Sequence, residues 1–287
     1  MSLARKSRQQ GLSFRNQGEW LQIQRNTFTN WVNENLRTRG IVIDDVRTDL
    51  SDGVTLVALV EALIKEKVPG AVPRPSNQYQ KLQNITVALD ALSKDGVKLV
   101  NIDSSDIVAA ELKLVLALVW ALVHRYQVGG MALTQHKAWL LAWLHAVIPD
   151  CSVTNFTTDW NDGIALQLEN CQSAMKLARQ NFNIPLVLRP ENLASADLDE
   201  LSAITYLSYF TRVGGPGYDA TLQRVAPRTL PVVVGNFTVS VVVVVVIVVV
   251  VDRLYVQSPP CNSRDLGLYP LVMTLKTKCY YFYNLKS

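Results

Sequence analysis

The chain is poor in the side chains that perform chemistry on metals and substrates. It has three histidines, His124, His136 and His145. His136 and His145 stand nine positions apart, which places them on different faces of a helix and argues against a shared metal. His124 ends an apolar segment and reads as a packing residue. The four cysteines, Cys151, Cys171, Cys261 and Cys279, form no C-x-x-C pair. That spacing suits free thiols in a reducing compartment. No glycine-rich loop resembles a nucleotide cradle. The carboxylate pairs Asp44–Asp45 and Asp103/Asp106 are explained by turn and cap roles. No enzyme activity, cofactor or metal is therefore expected.

Charge is thin as well. Charged residues make up 18% of the chain and the net charge is +4. Lys and Arg do not gather into a stripe between aromatics, so nucleic acid is not an expected partner. The mild positive balance suits an acidic one. No apolar run reaches the roughly 20 residues that a membrane-spanning helix needs. The run over residues 112–123 is interrupted by Lys113 and followed by His124. The eleven residues 241–251 are all valine apart from Ile247, and β-branching there favours a strand. Residues 1–17 are polar, carry Arg5, Lys6, Arg8 and Arg15, and lack the apolar centre of a signal peptide. They are expected to be a flexible flank of a cytoplasmic protein.

What the sequence does have is helical periodicity, in a chain of 287 residues that is long enough for about two domains. Trp20, Ile23, Thr27, Phe28, Trp31 and Leu36 recur at three- and four-residue steps and predict a helix over residues 19–36. Gln24, Arg25, Asn30, Asn33 and Glu34 are left for its polar face. A second helix is predicted from Ser51, with Leu56, Leu59, Val60 and Leu63 as its buried stripe. Pro69, Pro73 and Pro75 break the chain. A third starts near Ser76, with Leu82, Ile85, Thr86, Leu89 and Leu92 on one face, and stops at Gly96. Asp103 and Asp106 have capping-box spacing. Residues 111–126 are apolar almost all round, which marks the buried centre of a bundle. Gly129 and Gly130 form a linker.

The pattern then restarts. Thr134 can cap a helix whose face is Trp139, Ala142, Trp143, Ala146 and Val147, before Pro149. Residues 159–163 (D-W-N-D-G) echo residues 49–53 (D-L-S-D-G), Leu168-Glu169-Asn170 echoes Leu82-Gln83-Asn84, and Leu186-Val187 echoes Leu99-Val100. This is an internal duplication of about 110 residues. It is uneven: Gly53 and Asn84 are 31 positions apart, but Gly163 and Asn170 only 7, so the second copy lacks about 24 residues. Poor packing or rearrangement of that copy is expected. Cys171, Ala174, Met175, Ala178 and Phe182 still make a helical face. After Gly214 the helical pattern stops.

Two phrases carry a family resemblance. One is Q-R-N-T-F-T-N-W-V-N over residues 24–33; the other is L-V-N-I-D-S-S-D-I-V-A-A-E-L-K-L-V-L-A-L-V-W over residues 99–120. They resemble the diagnostic stretches of filamin-type actin-binding domains, which are tandem calponin-homology domains. The likeness spans about residues 20–210. It implies an all-α fold: a calponin-homology domain at 18–127, a linker at 128–133, an internally shortened second domain at 134–213, and an irregular or strand-prone tail at 214–287. The immunoglobulin-like repeats through which a filamin dimerises are not seen in the tail.

The resemblance implies filamentous actin as partner and the actin cytoskeleton as location. It places the contacts on three helices, carried over here to residues 20–36, 112–126 and 134–148. The candidate contacts are Gln24, Arg25, Thr27, Asn30, Asn33, Leu112, Lys113, Leu116 and Lys137. Phe28, Trp31, Trp120, Trp139 and Trp143 are expected to be the packing core of those helices. Binding would be non-covalent, and in this family the second domain covers part of the first and restrains it. The shortened copy is expected to weaken net binding. Two alternatives stand beside this: a calponin-homology module for another cytoskeletal or signalling partner, and a non-functional truncated isoform.

Overall fold

The computed structural model describes residues 3–147, 156, 168–195 and 197–212. Among them every regular element is helical, as expected for an all-α chain. The valine-rich run and the rest of the tail lie outside the described residues, as do residues 159–163 of the second copy.

The first helix, α1 (Leu3–Leu36), begins sixteen positions before the expected residue 19 and runs through the flank expected to be flexible. No proline interrupts that stretch, so nothing there removes a helical hydrogen bond. The apolar stripe behaves as its spacing requires: Phe28, Val32 and Leu36 are fully buried, and Ile23 and Trp31 nearly so. Trp20 is an exception at 37% exposure. The helix tightens into one 3-10 turn (Arg37–Arg39) and ends on Gly40, whose φ of 67° favours a residue without a side chain.

Two side chains of α1 then set the path of the returning chain. The Asn33 amide accepts from Ile43 N–H at 2.8 Å and donates to Ile43 C=O at 2.9 Å. The Thr29 hydroxyl accepts from Val46 N–H at 3.0 Å. The short helix α2 (Val46–Asp49) follows, capped by Asp45.

Helix α3 (Val54–Ile64) starts three residues later than Ser51, because Asp52 and not Ser51 accepts from Val54 N–H, at 2.8 Å. Gly53 before it is sterically obligatory. Its φ is 76°, and a Cβ there would lie 2.5 Å from Asn84 Cβ. Leu56, Leu59 and Val60 are buried as expected, while Leu63 is half-buried. Helix α4 (Gln78–Lys94) is capped by Asn77 rather than Ser76, and buries Ile85, Ala88, Leu89 and Leu92. Thr86, expected on the same face, is exposed; Ala88 takes the place in the stripe.

The Asp103/Asp106 capping box is present and starts α5 (Ser104–Val108). Helix α6 (Leu112–Leu122) continues into a wide π turn (Val123–Gln127), closed by Val128 N–H donating to Val123 C=O at 3.0 Å. α6 is not buried all round: Lys113 and Ala117 are exposed on one edge. Among the described residues no helix covers that edge, which periodicity alone could not show.

Among the described residues four helices follow: α7 (Leu133–Val147), α8 (Leu168–Phe182), α9 (Pro190–Leu193) and α10 (Glu200–Thr211). α8 buries Cys171, Met175 and Ala178, as its spacing predicts. In α10 every residue from Ser202 to Thr211 is buried. A helix enclosed on all sides must have neighbours on all sides. One of them is α1 of the first half and another is the π turn.

Candidate functional site

The three helices singled out by the sequence converge around α10. Most of the named side chains already have partners inside the molecule. Gln24, at 7% exposure, donates from Nε2 to Asp199 Oδ1 at 3.1 Å. Asn30 donates from Nδ2 to Val187 C=O at 3.1 Å. Lys137 Nζ meets Glu200 Oε2 at 2.6 Å. These bonds join elements 63 to 175 residues apart, and each crosses from one half of the chain to the other or between α7 and α10.

Arg25 is turned inward on its own half. Its guanidinium forms a fork with Asp45, with Nε to Oδ1 at 2.6 Å. Burial pushes the Asp45 carboxyl up, but Arg25, Arg47 N–H and Thr48 together hold it below the usual carboxylate range. Asn33 is spent on Ile43. Thr27 is fully buried and Leu116 nearly so, so neither has surface to offer in this conformation. Leu112 is half-buried against the core. Lys113 is exposed and stands on the open edge of α6.

The packing residues fall into two groups. Phe28, Trp31 and Trp143 are core, as expected. Trp120 and Trp139 are half-buried and pack against it. Trp120 stacks on Phe28 with ring centroids 6.5 Å apart, and so joins α6 to α1. Trp139 lies beside His136, at 6.0 Å. His136 is 4% exposed, and burial, with His124 adding to it, pushes its imidazole down to about 4. It is neutral at ordinary pH. Among the described residues no group of three or more His, Cys, Asp or Glu side chains is arranged to hold a metal ion.

Two structural residues were not singled out. Asn84 is fully buried; its Oδ1 accepts from Val72 N–H at 2.6 Å, and its Nδ2 donates to Val72 C=O at 2.9 Å and Asp52 C=O at 3.2 Å. It staples the proline-rich loop to α3 and α4. Glu61 is 8% exposed and meets Arg39 at 2.9 Å, Lys67 at 3.1 Å and Val68 N–H at 3.1 Å. Burial raises its carboxyl, but those three partners outweigh it and hold it below the usual range. The signal was there: Glu61 is the one charge in the apolar phrase V-T-L-V-A-L-V-E-A-L-I, and Asn84 recurs in the duplicated phrase.

The module built by α1 to the π turn, with its stapled loop and capping box, is a calponin homology (CH) domain: the family model of that description matches residues 22–128. The chain belongs to the filamin-type members of that family. It is 39% identical to filamin-A of Drosophila melanogaster over 84% of its own length. It is 34% identical to filamin-C of Rattus norvegicus over 73% of its length, and 30% identical to alpha-actinin-3 of Mus musculus over 67%. It spans only 13%, 9% and 24% of the length of those three relatives.

Proposed function

We propose that the chain binds actin filaments non-covalently through its filamin-type CH domain and belongs to the cytoplasmic actin cytoskeleton, with a binding role and no turnover. The observation that carries this reading is a CH domain, matched over residues 22–128, whose α6 edge keeps Lys113 in solvent, next to Leu112. A cation on an open helix edge steers an acidic filament surface toward it. α1 and α7 supply the remaining contacts once α10 and the segment at Val187 move aside, since Gln24, Asn30 and Lys137 are engaged by Asp199, Val187 and Glu200 in this conformation. The second half is read as a shortened CH copy that restrains the first.

Co-sedimentation tests this. Full-length chain at physiological salt is expected to pellet with actin filaments and not with microtubules, and Lys113→Glu is expected to leave more of it in the supernatant. Equal pelleting with both polymers, or with neither, overturns the reading.

A further inference from the structure

The seam between α1 and α10 holds a carboxylate that filament binding does not use. Asp199 caps α10, its Oδ1 accepting from Ser202 N–H at 3.0 Å. The same oxygen accepts from Gln24 Nε2 of α1. Separating α10 from α1 would return this carboxyl to water.

The groups around it are neutral or already engaged. α1 offers the Gln24 amide, and α10 offers the Ser202 hydroxyl and backbone N–H. On α7, Lys137 is taken up by Glu200, and His136 is buried and neutral. His124, on the π turn, is bonded to Met131 C=O at 2.6 Å. Arg212, at the far end of α10, lies over the Tyr209 ring at 4.6 Å. Burial pushes the Asp199 carboxyl above the usual carboxylate range; the bonds from Ser202, Gln24 and Leu201 pull it back without offsetting that.

We propose that the α1–α10 seam is a proton-operated latch, which closes when Asp199 takes up a proton and loosens when Asp199 ionises. An enclosed carboxyl favours its neutral form. The closed state therefore holds the proton more tightly than the open one, and closing is favoured as pH falls. A protonated Asp199 keeps Oδ1 as acceptor for both Gln24 and Ser202, so closing loses no bond. The effect lies between the ordinary aspartate value, about 3.9, and the raised value in the closed seam. Above that window both states are ionised and the seam carries the full cost of burying a charge. None of this depends on what the opened surface binds.

Hydrogen exchange of the full chain, corrected for the intrinsic pH dependence of exchange, tests the latch. Between about pH 7.5 and about pH 4, which brackets the window down to the ordinary aspartate value, peptides 20–31 and 200–211 are expected to gain protection as pH falls, while α4 peptides do not. Asp199→Asn should give the acid level of protection at both values. Asp199→Ser, which keeps a capping oxygen without a titrating group, should be equally flat. α4 protection reports whether each variant is folded. Lys137→Met should lower seam protection at every pH and keep the slope; His124→Gln should keep it too. The latch is overturned by a flat profile in the parent chain, by a slope that survives both Asp199 variants, or by a slope lost in Lys137→Met or His124→Gln.

Discussion

The two halves of this chain solve one packing problem by different means. In the first, the loop between α3 and α4 is held from within: Gly53 lets α3 and α4 touch, and Asn84 closes three hydrogen bonds over the gap. In the second, the corresponding residues Gly163 and Asn170 are only 7 positions apart in the sequence, against 31 between Gly53 and Asn84. Its last helix is nevertheless buried along its length, partly against the first half. A helix of one half can be enclosed by sharing the surface of the other, as α10 does with α1. The cost is independence: the first half contains its own core, while the second leans on α1.

Truncating the central side chain of each half puts this to the sharpest test. Trp31→Ala removes a nearly fully buried ring from α1 and is expected to cost about 3–5 kcal/mol, read as a fall in the urea midpoint. Because α10 rests on α1, both halves should melt earlier. Phe210→Ala removes a ring of α10 and should cost a similar amount, about 3–5 kcal/mol, yet spare the protection of α4. Equal loss of α4 protection in the two variants would break the comparison.

Asn84→Leu comes next. It strands both backbone groups of Val72, and a loss of about 2–3 kcal/mol is expected in chemical denaturation, all of it from the first half. Acidification should divide the halves further. Asp45 and Glu61 have depressed native values, so their stabilisation is complete above the unfolded carboxylate value, about 4, and is lost as pH falls through the depressed one. The sign is opposite at Asp199. Glu61→Gln should flatten the acid limb of the first half's stability profile and leave that of the seam untouched. The smallest effect on stability belongs to Lys113→Glu, expected within about 0.5 kcal/mol because the side chain is exposed. Its effect on filament co-sedimentation should be several-fold.

Local signals in the sequence were dependable where one helix decides the outcome. The α1 stripe, the Asp103/Asp106 box and the Cys171–Met175–Ala178 face all reappear in the structure. Features set by a distant partner were illegible. Gln24 and Asp199 are 175 residues apart, and no periodicity links them. The echo of Leu99-Val100 in Leu186-Val187 shows why: Val100 is 73% exposed, whereas Val187 is buried and its carbonyl takes the Asn30 amide. Identical words acquired opposite surroundings because α1, through its Asn30 amide, lies beside the second of them. The π turn after α6 was equally hidden, since Val123-His124-Arg125-Tyr126-Gln127 reads as ordinary helix. It is held from outside, by Tyr126 donating to Asp95 Oδ2 at 2.7 Å and Arg125 to Asp95 C=O at 2.8 Å.

The enclosure of α10 also has a mechanical meaning. It is the last helix described, so a pull transmitted from the C-terminal side reaches it before any part of the first half. Its grip on α1 through Gln24 is then the first joint to be strained, ahead of the stapled loop and the Trp31 core. Under load the expected order of yielding puts the Gln24–Asp199 joint before the calponin homology core.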